Sequence, residues 1–428
     1  MKSPLYYAGK AASELRRIAG MAAREVLRAS TPIVPGRVLF HTQEMRYCCN
    51  PRYIYEALER MQRESPESDR LDIVWRLPEG ADPSVESERG GVPMEVRGVP
   101  ANSWEYFRML FSASVVITNS SLYLSVPVRL KKGQRLIQTW HGSLGIKRHG
   151  EQYIKDTWRR ARALKATARM TDYCISNSTL EDHSFRDTYW PRTPILEYGH
   201  ARNDLFFPQY EEKRRQLRRS IFGILGIPAG RRVVMYAPTF RDRDSLSRYN
   251  IDFRRLVDAL TKRFPPSGAE DTWCVILRYH PSLAKSTDGA AEIERWRARS
   301  VEIVDATPLP DMQELIAVTD VAITDYSSWI YDYMLMRGPG FIYATDLEDY
   351  DQERGFYYPI TETPFAIATD NDQLEAAILS FDEEAYSARL EQFLRDKGCI
   401  EDGHAAERAA VLINDLIHGK EPSGPYAE

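Results

Sequence analysis

The sequence predicts an α/β protein of two lobes, each carrying a mainly parallel sheet, and three observations support that prediction. Short apolar runs alternate with helical patterns along most of the chain, the rhythm of strand–helix–strand units. The chain has 428 residues, and a single core rarely grows past about 250–300 residues, so two cores fit better than one. Four polar clusters each follow directly on an apolar run, and ligands meet open α/β sheets outside the carboxyl ends of their strands.

Residues 1–30 come first. Leu15, Ile18, Ala19, Ala22, Val26 and Leu27 form an apolar stripe flanked by Lys10, Arg16, Arg17, Arg24 and Arg28. A basic amphipathic helix of this kind either lies in the headgroup layer of an anionic membrane or packs on its own protein. Apolar runs at 38–40, 73–75, 115–118, 136–138, 174–176 and 194–197 then read as strands, with helical patterns at 53–61 and 104–111. They define an N-terminal Rossmann-like lobe over 31–207. The charged stretch 207–219, opened by Pro208, begins a crossover. Strands at 232–236, 273–278, 301–304, 321–324 and 340–343, with helices at 253–264, 311–318 and 327–336, form a second Rossmann-like lobe over 208–382. Helical patterns at 370–380, 383–396 and 404–418 close the chain. Residues 383–428 are read as C-terminal helices and a frayed tail.

Hydrophobic content of 43% and charged content of 28% are ordinary for a globular protein, and no run approaches the roughly 20 apolar residues of a membrane span. A formal net charge of -4 argues against a nucleic-acid partner, which calls for a strongly basic domain. Five cysteines, adjacent only at Cys48 and Cys49, show no CxxC or zinc spacing. Without a secretory signal, a reduced cytoplasmic setting is expected.

The chemistry sits in the four clusters. Asp325, Tyr326, Ser327 and Ser328 stand at a strand-to-helix turn, where a serine is either a cap or part of an anion site built from free amides and the helix dipole. His141, in Thr139-Trp140-His141-Gly142, carries an imidazole that titrates near pH 6.5 (about), so it can take a proton from an attacking hydroxyl at neutral pH. Arg278 and His280 precede Pro281, which ends sheet pairing, and the two side by side can neutralise charge on a departing diphosphate. Arg278 also fits a solvated flank or a structural ion pair. Thr239 and Arg241 follow Pro238, where a turn presents a hydroxyl and a guanidinium to a cleft. Glu314, near a helix start, either accepts ribose hydroxyls or complements the helix N-terminus. Lys147, Arg148 and His149, with Arg202, make a basic rim or a solvated surface. Asp242 and Asp244 have a spacing that suits magnesium.

Taken in order, NPRYIYEAL (50–58), QTWHGSLGIKRHG (138–150), GHARNDLFF (199–207), YAPTFRD (236–242), RYHP (278–281), TDYSSWIYDY (324–333) and DLEDYDQERGFYY (346–358) resemble the CDP-glycerol glycerophosphotransferases of teichoic-acid and capsule synthesis. The resemblance spans most of 38–358 and implies a GT-B-like fold, with two lobes facing an inter-lobe cleft. It implies His141 as general base and His280 on the leaving phosphate. Thr239, Arg241, Arg278, Glu314, Asp325, Ser327 and Ser328 would then serve the CDP donor, and Lys147, Arg148 and Arg202 the acceptor phosphates. Asp325, as a carboxylate, would orient a loop amide or His280 rather than touch phosphate. No metal or cofactor is expected, because such enzymes use protein cations and helix dipoles.

The implied reaction moves glycerol phosphate or ribitol phosphate from CDP-glycerol or CDP-ribitol to a lipid-linked phosphorylated acceptor. It would occur at the anionic inner face of the cell membrane, with no nucleic acid involved. Two departures fall on the acceptor side: Gly142-Ser143-Leu144 stands where GlyThrPro is common, and Gly199-His200-Ala201 where GlyTyrPro is common. A sugar-nucleotide glycosyltransferase on the same fold, or a non-catalytic nucleotide-binding protein at the membrane, are the competing readings.

Overall fold

The computed structural model describes residues 18–66, 70–81, 97–148, 158–239, 250–279 and 302–422. Arg241, Asp242, Asp244, His149, His280 and the first part of the N-terminal stripe lie outside the described residues.

The first lobe is built on β1 (Arg37–His41), β2 (Asp72–Leu77), β3 (Gly98–Pro100), β4 (Val115–Thr118), β5 (Arg135–Gln138), β6 (Tyr173–Ser176) and β7 (Ile195–Glu197), in the spatial order β3-β2-β1-β4-β5-β6-β7. The second is built on β8 (Arg232–Tyr236), β9 (Trp273–Leu277), β10 (Ile303–Asp305), β11 (Val321–Thr324), β12 (Gly340–Tyr343) and β13 (Ala366–Ala368), in the order β10-β9-β8-β11-β12-β13. Every pairing between these strands is parallel. The order reverses between β1 and β4, where Val38 lies opposite Val115, and again between β8 and β11, where Val234 lies opposite Val321. Each reversal opens a crevice at the carboxyl ends of its two strands.

The central strands are mostly apolar because helices cover both faces of a parallel sheet; all four residues of β4 and of β11, including the closing Thr118 and Thr324, are buried. Among the described residues the helices are α1 (18–30), α2 (Cys49–Arg63), α3 (Trp104–Ser112), α4 (Leu122–Ser125), α5 (Trp158–Ala168), α6 (Thr179–Thr188) and α7 (Glu211–Leu225), followed by α8 (Phe253–Arg263), α9 (Met312–Ala317), α10 (Trp329–Tyr333), α11 (Leu347–Arg354), α12 (Asn371–Leu379), α13 (Glu383–Asp396) and α14 (Ala405–Ile417). Side-chain caps start many of them: Ser103 accepts from the Tyr106 amide, Ser178 from Glu181, Asp252 from Arg254 and Arg255, and Asp311 from Gln313. These oxygens satisfy amides that the helix itself leaves without partners.

The chain crosses to the second lobe through α7 and returns at its end. Phe393 of α13 stacks on Tyr331 in the second lobe, with ring centroids 6.1 Å apart. The next residues reach the first lobe, where the amides of Thr179 and Leu180 donate to the carbonyls of Gly398 and Lys397 at 3.2 Å each. Helix α14 then packs on α2, its start held by Asp204, whose two carboxylate oxygens accept from the amides of Ala405 (2.9 Å) and Ala406 (2.8 Å).

One apolar core runs through both lobes, joining Phe40 and Trp75 of the first to Met235 and Ile276 of the second. A buried ion cluster also bridges them. Arg52 of α2, 2% exposed, donates to Glu56 (2.9 Å) in its own lobe and to Asp311 (3.1 Å) and Glu314 (2.7 Å) across the interface.

Among the described residues, one side of helix α1 packs on the first lobe. Arg24 lies 4.5 Å over the Phe107 ring and Leu27 packs on the core beneath, while Ile18, Met21 and Val26 are 52%, 38% and 69% exposed. Among the described residues no helix is long and apolar enough to cross a membrane.

Candidate functional site

The two crevices face each other across a cleft of about 660 Å³. Its walls include His141 and Lys147 from the first lobe and Thr239, Arg278, Ser327 and Ser328 from the second.

His141 sits one residue beyond a strained position, because Trp140 has φ +54, the left-handed region that costs a bulky residue free energy unless its surroundings hold it. They do. Gln138 accepts from the Trp140 amide (2.9 Å) and donates to the Ser120 carbonyl (2.9 Å). Asn50 donates to the carbonyls of Thr139 (2.7 Å) and Trp140 (3.2 Å). Arg202 donates to the carbonyls of His141 and Gly142, both at 2.7 Å. Gly142 is required, since a Cβ there would stand 2.7 Å from the Trp140 indole nitrogen.

The His141 ring is equally constrained. Its Nδ1 lies 2.6 Å from the Asn119 carbonyl oxygen, and a carbonyl can only accept, so Nδ1 carries the proton and Nε2 keeps its lone pair. Crowding by the cleft walls disfavours the charged ring and, with the positive charge of Arg202, outweighs Glu44 and the carbonyl contact; the His141 pKa is lowered from its ordinary 6.5. Even so, the residue is exposed to the cleft. The imidazole is therefore neutral at neutral pH and open to a proton.

Across the cleft, Asp325 organises the two second-lobe loops. Its Oδ1 accepts from the amide of Thr239 (2.8 Å) and from that of Tyr326 (2.5 Å), so the carboxylate orients a loop amide. Ser328, rather than Ser327, is the residue at the helix start, and it makes no side-chain cap. Helix α10 is short, five residues, and passes into a 3-10 turn at Met334–Met336. The expected single helix over 327–336 is thus two pieces.

Several site expectations change. Glu314 is 1% exposed and is bound to Arg52 at the lobe interface; its neighbours Asp311, Met312 and Gln313 line the cleft, and Glu314 itself is not among the lining residues. Arg202 is 3% exposed and forms a buried pair with Asp332 at 3.0 Å. It lines the cleft beside His141, paired with Asp332 and low in the wall rather than on an exposed rim. Arg278 directs one guanidinium nitrogen at the carbonyls of Ala306 (3.0 Å), Thr307 (2.6 Å) and Leu309, bracing the loop after β10 at the cleft edge. Lys147 lines the cleft, whereas Arg148 is exposed and donates from Nε to the Phe356 carbonyl at 2.9 Å. The Tyr357 amide likewise donates to the Ile146 carbonyl (2.7 Å) and the Tyr358 hydroxyl to the Leu144 carbonyl (2.6 Å). The aromatic stretch after Gly355 therefore ties the second lobe to the His141 loop.

Asn50, Asn119, Gln138 and Asp332 are not singled out by the sequence, yet they hold His141, its turn or the supporting Arg202. The available signal was their place inside or beside the motif segments. Among the described residues no group of three or more His, Cys, Asp or Glu side chains is arranged to hold a metal.

A second cavity of about 340 Å³ opens in the first lobe and shares Gln43, His141, Lys147 and Ser328 with the cleft. His141 thus stands where the two spaces meet.

A family model described as CDP-glycerol:poly(glycerophosphate) glycerophosphotransferase matches residues 24–415. The teichoic acid poly(glycerol phosphate) polymerase of Staphylococcus epidermidis is 28% identical over 389 residues, covering 87% of this chain and 49% of that protein. The teichoic acid glycerol-phosphate transferase of Staphylococcus aureus is 26% identical over 390 residues, covering 87% of this chain and 91% of that protein. The chain therefore spans about half the length of the first relative and most of the second. A variant of the wall teichoic acid polymerase TagF, solved after soaking with CDPG, aligns with a TM-score of 0.72 at 26% identity, over 96% of this chain and 98% of that one.

Proposed function

The chain belongs to the CDP-glycerol:poly(glycerophosphate) glycerophosphotransferase family, and from that premise we propose that it transfers glycerol phosphate or ribitol phosphate from a CDP-alditol to an acceptor hydroxyl, releasing CMP. The observation that carries this reading is the tautomer and placement of His141: Nδ1 is committed to the Asn119 carbonyl, and Nε2 is left as a base at the junction of the two cavities.

In the proposed reaction the acceptor hydroxyl gives its proton to His141 Nε2. Its oxygen forms a bond to the β-phosphorus, and the bond from that phosphorus to the bridging oxygen breaks. CMP leaves with the bridging oxygen and both electrons, and the product is a phosphodiester. Glu44, in the cleft wall, favours the imidazolium that forms. The second-lobe loops bearing Thr239, Ser327 and Ser328 hold the diphosphate, with Asp325 tying them together by accepting from the Thr239 and Tyr326 amides. Arg241 and His280 are assigned to the same diphosphate through the motif resemblance. Protein donors and cations meet the developing charge in this scheme, which is the usual division of labour in phosphoryl transfer.

The acceptor is proposed to be lipid-linked and the protein to work at the inner face of an anionic membrane. The exposed Ile18, Met21 and Val26 of α1 support that reading. Sedimentation with anionic vesicles tests it: replacing all three by serine should abolish binding, and unchanged partitioning would refute the membrane role.

A donor panel tests the transfer itself. CMP release should occur with CDP-glycerol or CDP-ribitol and a lipid-linked acceptor, and UDP-sugars should be inert. Turnover of a UDP-sugar alone would assign the chain to sugar transfer instead.

A further inference from the structure

The first-lobe cavity has a composition unlike the phosphate-facing cleft it joins. Trp140, Phe185 and Tyr189 wall one side, with Trp140 at 5.4 Å and 70° to Phe185 and at 5.6 Å and 47° to Tyr189. Trp140 and Tyr189 are half-buried, so each keeps ring surface in contact with the cavity. The His141 ring lies 4.7 Å from the Trp140 ring, which puts the base beside this aromatic wall.

The polar groups are as informative. Glu181, at the first turn of α6, lines the cavity and is 4% exposed. One carboxylate oxygen, Oε2, accepts from the Asn177 amide at 3.2 Å and lies 3.0 Å from His200 Nε2. The other, Oε1, is buried and has no hydrogen-bond partner among the described residues. A buried carboxylate oxygen without a donor is costly, and a ligand hydroxyl would relieve that cost. A phosphate would not, because it brings charge of the same sign. Among the described lining residues Lys147 is the one lysine or arginine, and it stands at the mouth shared with the cleft.

We propose that this cavity is a saccharide subsite, taking a neutral sugar ring of the acceptor against Trp140 and Tyr189 with a ring hydroxyl donating to Glu181 Oε1, so that an adjoining hydroxyl reaches His141. Aromatic faces pack against the C–H face of a sugar ring, and a carboxylate accepts from its hydroxyls; a poly(alditol phosphate) segment offers neither a ring face nor freedom from charge. What the bound ring is positioned to do rests on the transfer reading above; whether it binds does not.

Binding to the full chain without any donor separates the two. A short-chain glycoside of a neutral disaccharide and an oligo(glycerol phosphate) of similar length are each titrated against the wild type, Glu181→Gln and Tyr189→Leu, followed by saturation-transfer NMR and calorimetry. CDP-glycerol binding to each variant controls for folding, and Tyr189, half-buried at the end of α6, is the change least disruptive to the interior. The disaccharide should bind the wild type and lose about tenfold or more in each variant, as expected for a lost hydrogen bond to a charged group or a lost aromatic wall, with CDP-glycerol binding unchanged. Equal disaccharide binding to all three proteins would overturn the proposal. So would preferential binding of the oligo(glycerol phosphate), strengthened by Glu181→Gln through loss of charge repulsion. Absence of CMP release with every CDP donor would instead count against the transfer reading and leave the binding result standing.

Discussion

Arg202 holds His141 by its backbone: the guanidinium donates to the carbonyls of His141 and Gly142 at 2.7 Å each, and Asp332 anchors the arginine from the other side at 3.0 Å. A residue from the segment after β7 thereby fixes the turn after β5 that carries His141. The arrangement converts a buried charge pair into positional control of an imidazole.

Arg202→Lys keeps the charge but loses the planar fork that serves two carbonyls and a carboxylate together. The turnover number should fall by about tenfold to a hundredfold, as expected when a catalytic group shifts by about 1 Å, while the affinity for CDP-glycerol holds. Rapid-quench measurement of CMP formation beside equilibrium donor binding separates the two effects.

The pH profile follows from the direction of the His141 shift. A general base must be neutral to act, and the pKa of His141, the proposed base, lies below the ordinary 6.5. Activity should therefore rise with pH, reach half its plateau below about 6.5, and stay level through neutrality. An acid-limb midpoint above 7 (about) would mean that His141 is not the group being titrated.

Arg52 makes a stability prediction. Arg52→Met leaves Asp311 and Glu314 buried without their cation, although Lys213 still pairs with Glu56 at 2.8 Å. Removal of one partner from a buried pair costs about 3–5 kcal/mol. Adding Glu314→Met should recover part of the loss, because replacing both partners by apolar groups is far less costly. Denaturant unfolding of the single and double variants checks this.

Glu401 links stability to pH. Burial raises its pKa from 4.5 to about 7, against the opposing effects of His200, Asn203 and Asn177. The folded state holds this proton more tightly than the unfolded chain does, so the contribution is full below pH 4.5 (about) and is lost as pH rises through about 7. The shift corresponds to roughly 3 kcal/mol at most. Glu401→Gln should flatten the fall in stability between pH 5 and 8 (about), read as melting temperature against pH.

Much of this fold was legible because strand runs in buried parallel sheets are apolar from end to end. Val115–Thr118, Val321–Thr324 and Gly340–Tyr343 begin and end where the runs do. Gly98–Pro100 and Ala366–Ala368 were missed for the opposite reason: they are three-residue edge strands with little pattern to read, one of them containing proline. Helix α2 begins at Cys49, ahead of the apolar periodicity, because Asn50 and Arg52 in its first turn are buried for their polar contacts.

The site was legible in which segments meet and less so in what each side chain does. The motif order placed His141, Thr239, Ser327 and Ser328 on one cleft. It did not show which charges are already paired, since Arg202, in the cleft wall, and Glu314, outside it, look like any ligand-binding pair until their partners Asp332 and Arg52 are located. Those pairings join residues far apart in the chain, and local pattern carries no trace of them.

The most direct test of the central claim is CMP release from CDP-glycerol by His141→Asn in the presence of acceptor, with donor binding measured on the same preparation. Loss of release by about a hundredfold or more, with donor affinity retained, is the predicted result, because the amide cannot take the acceptor proton. Release at the wild-type rate would contradict the assignment of His141 as the base.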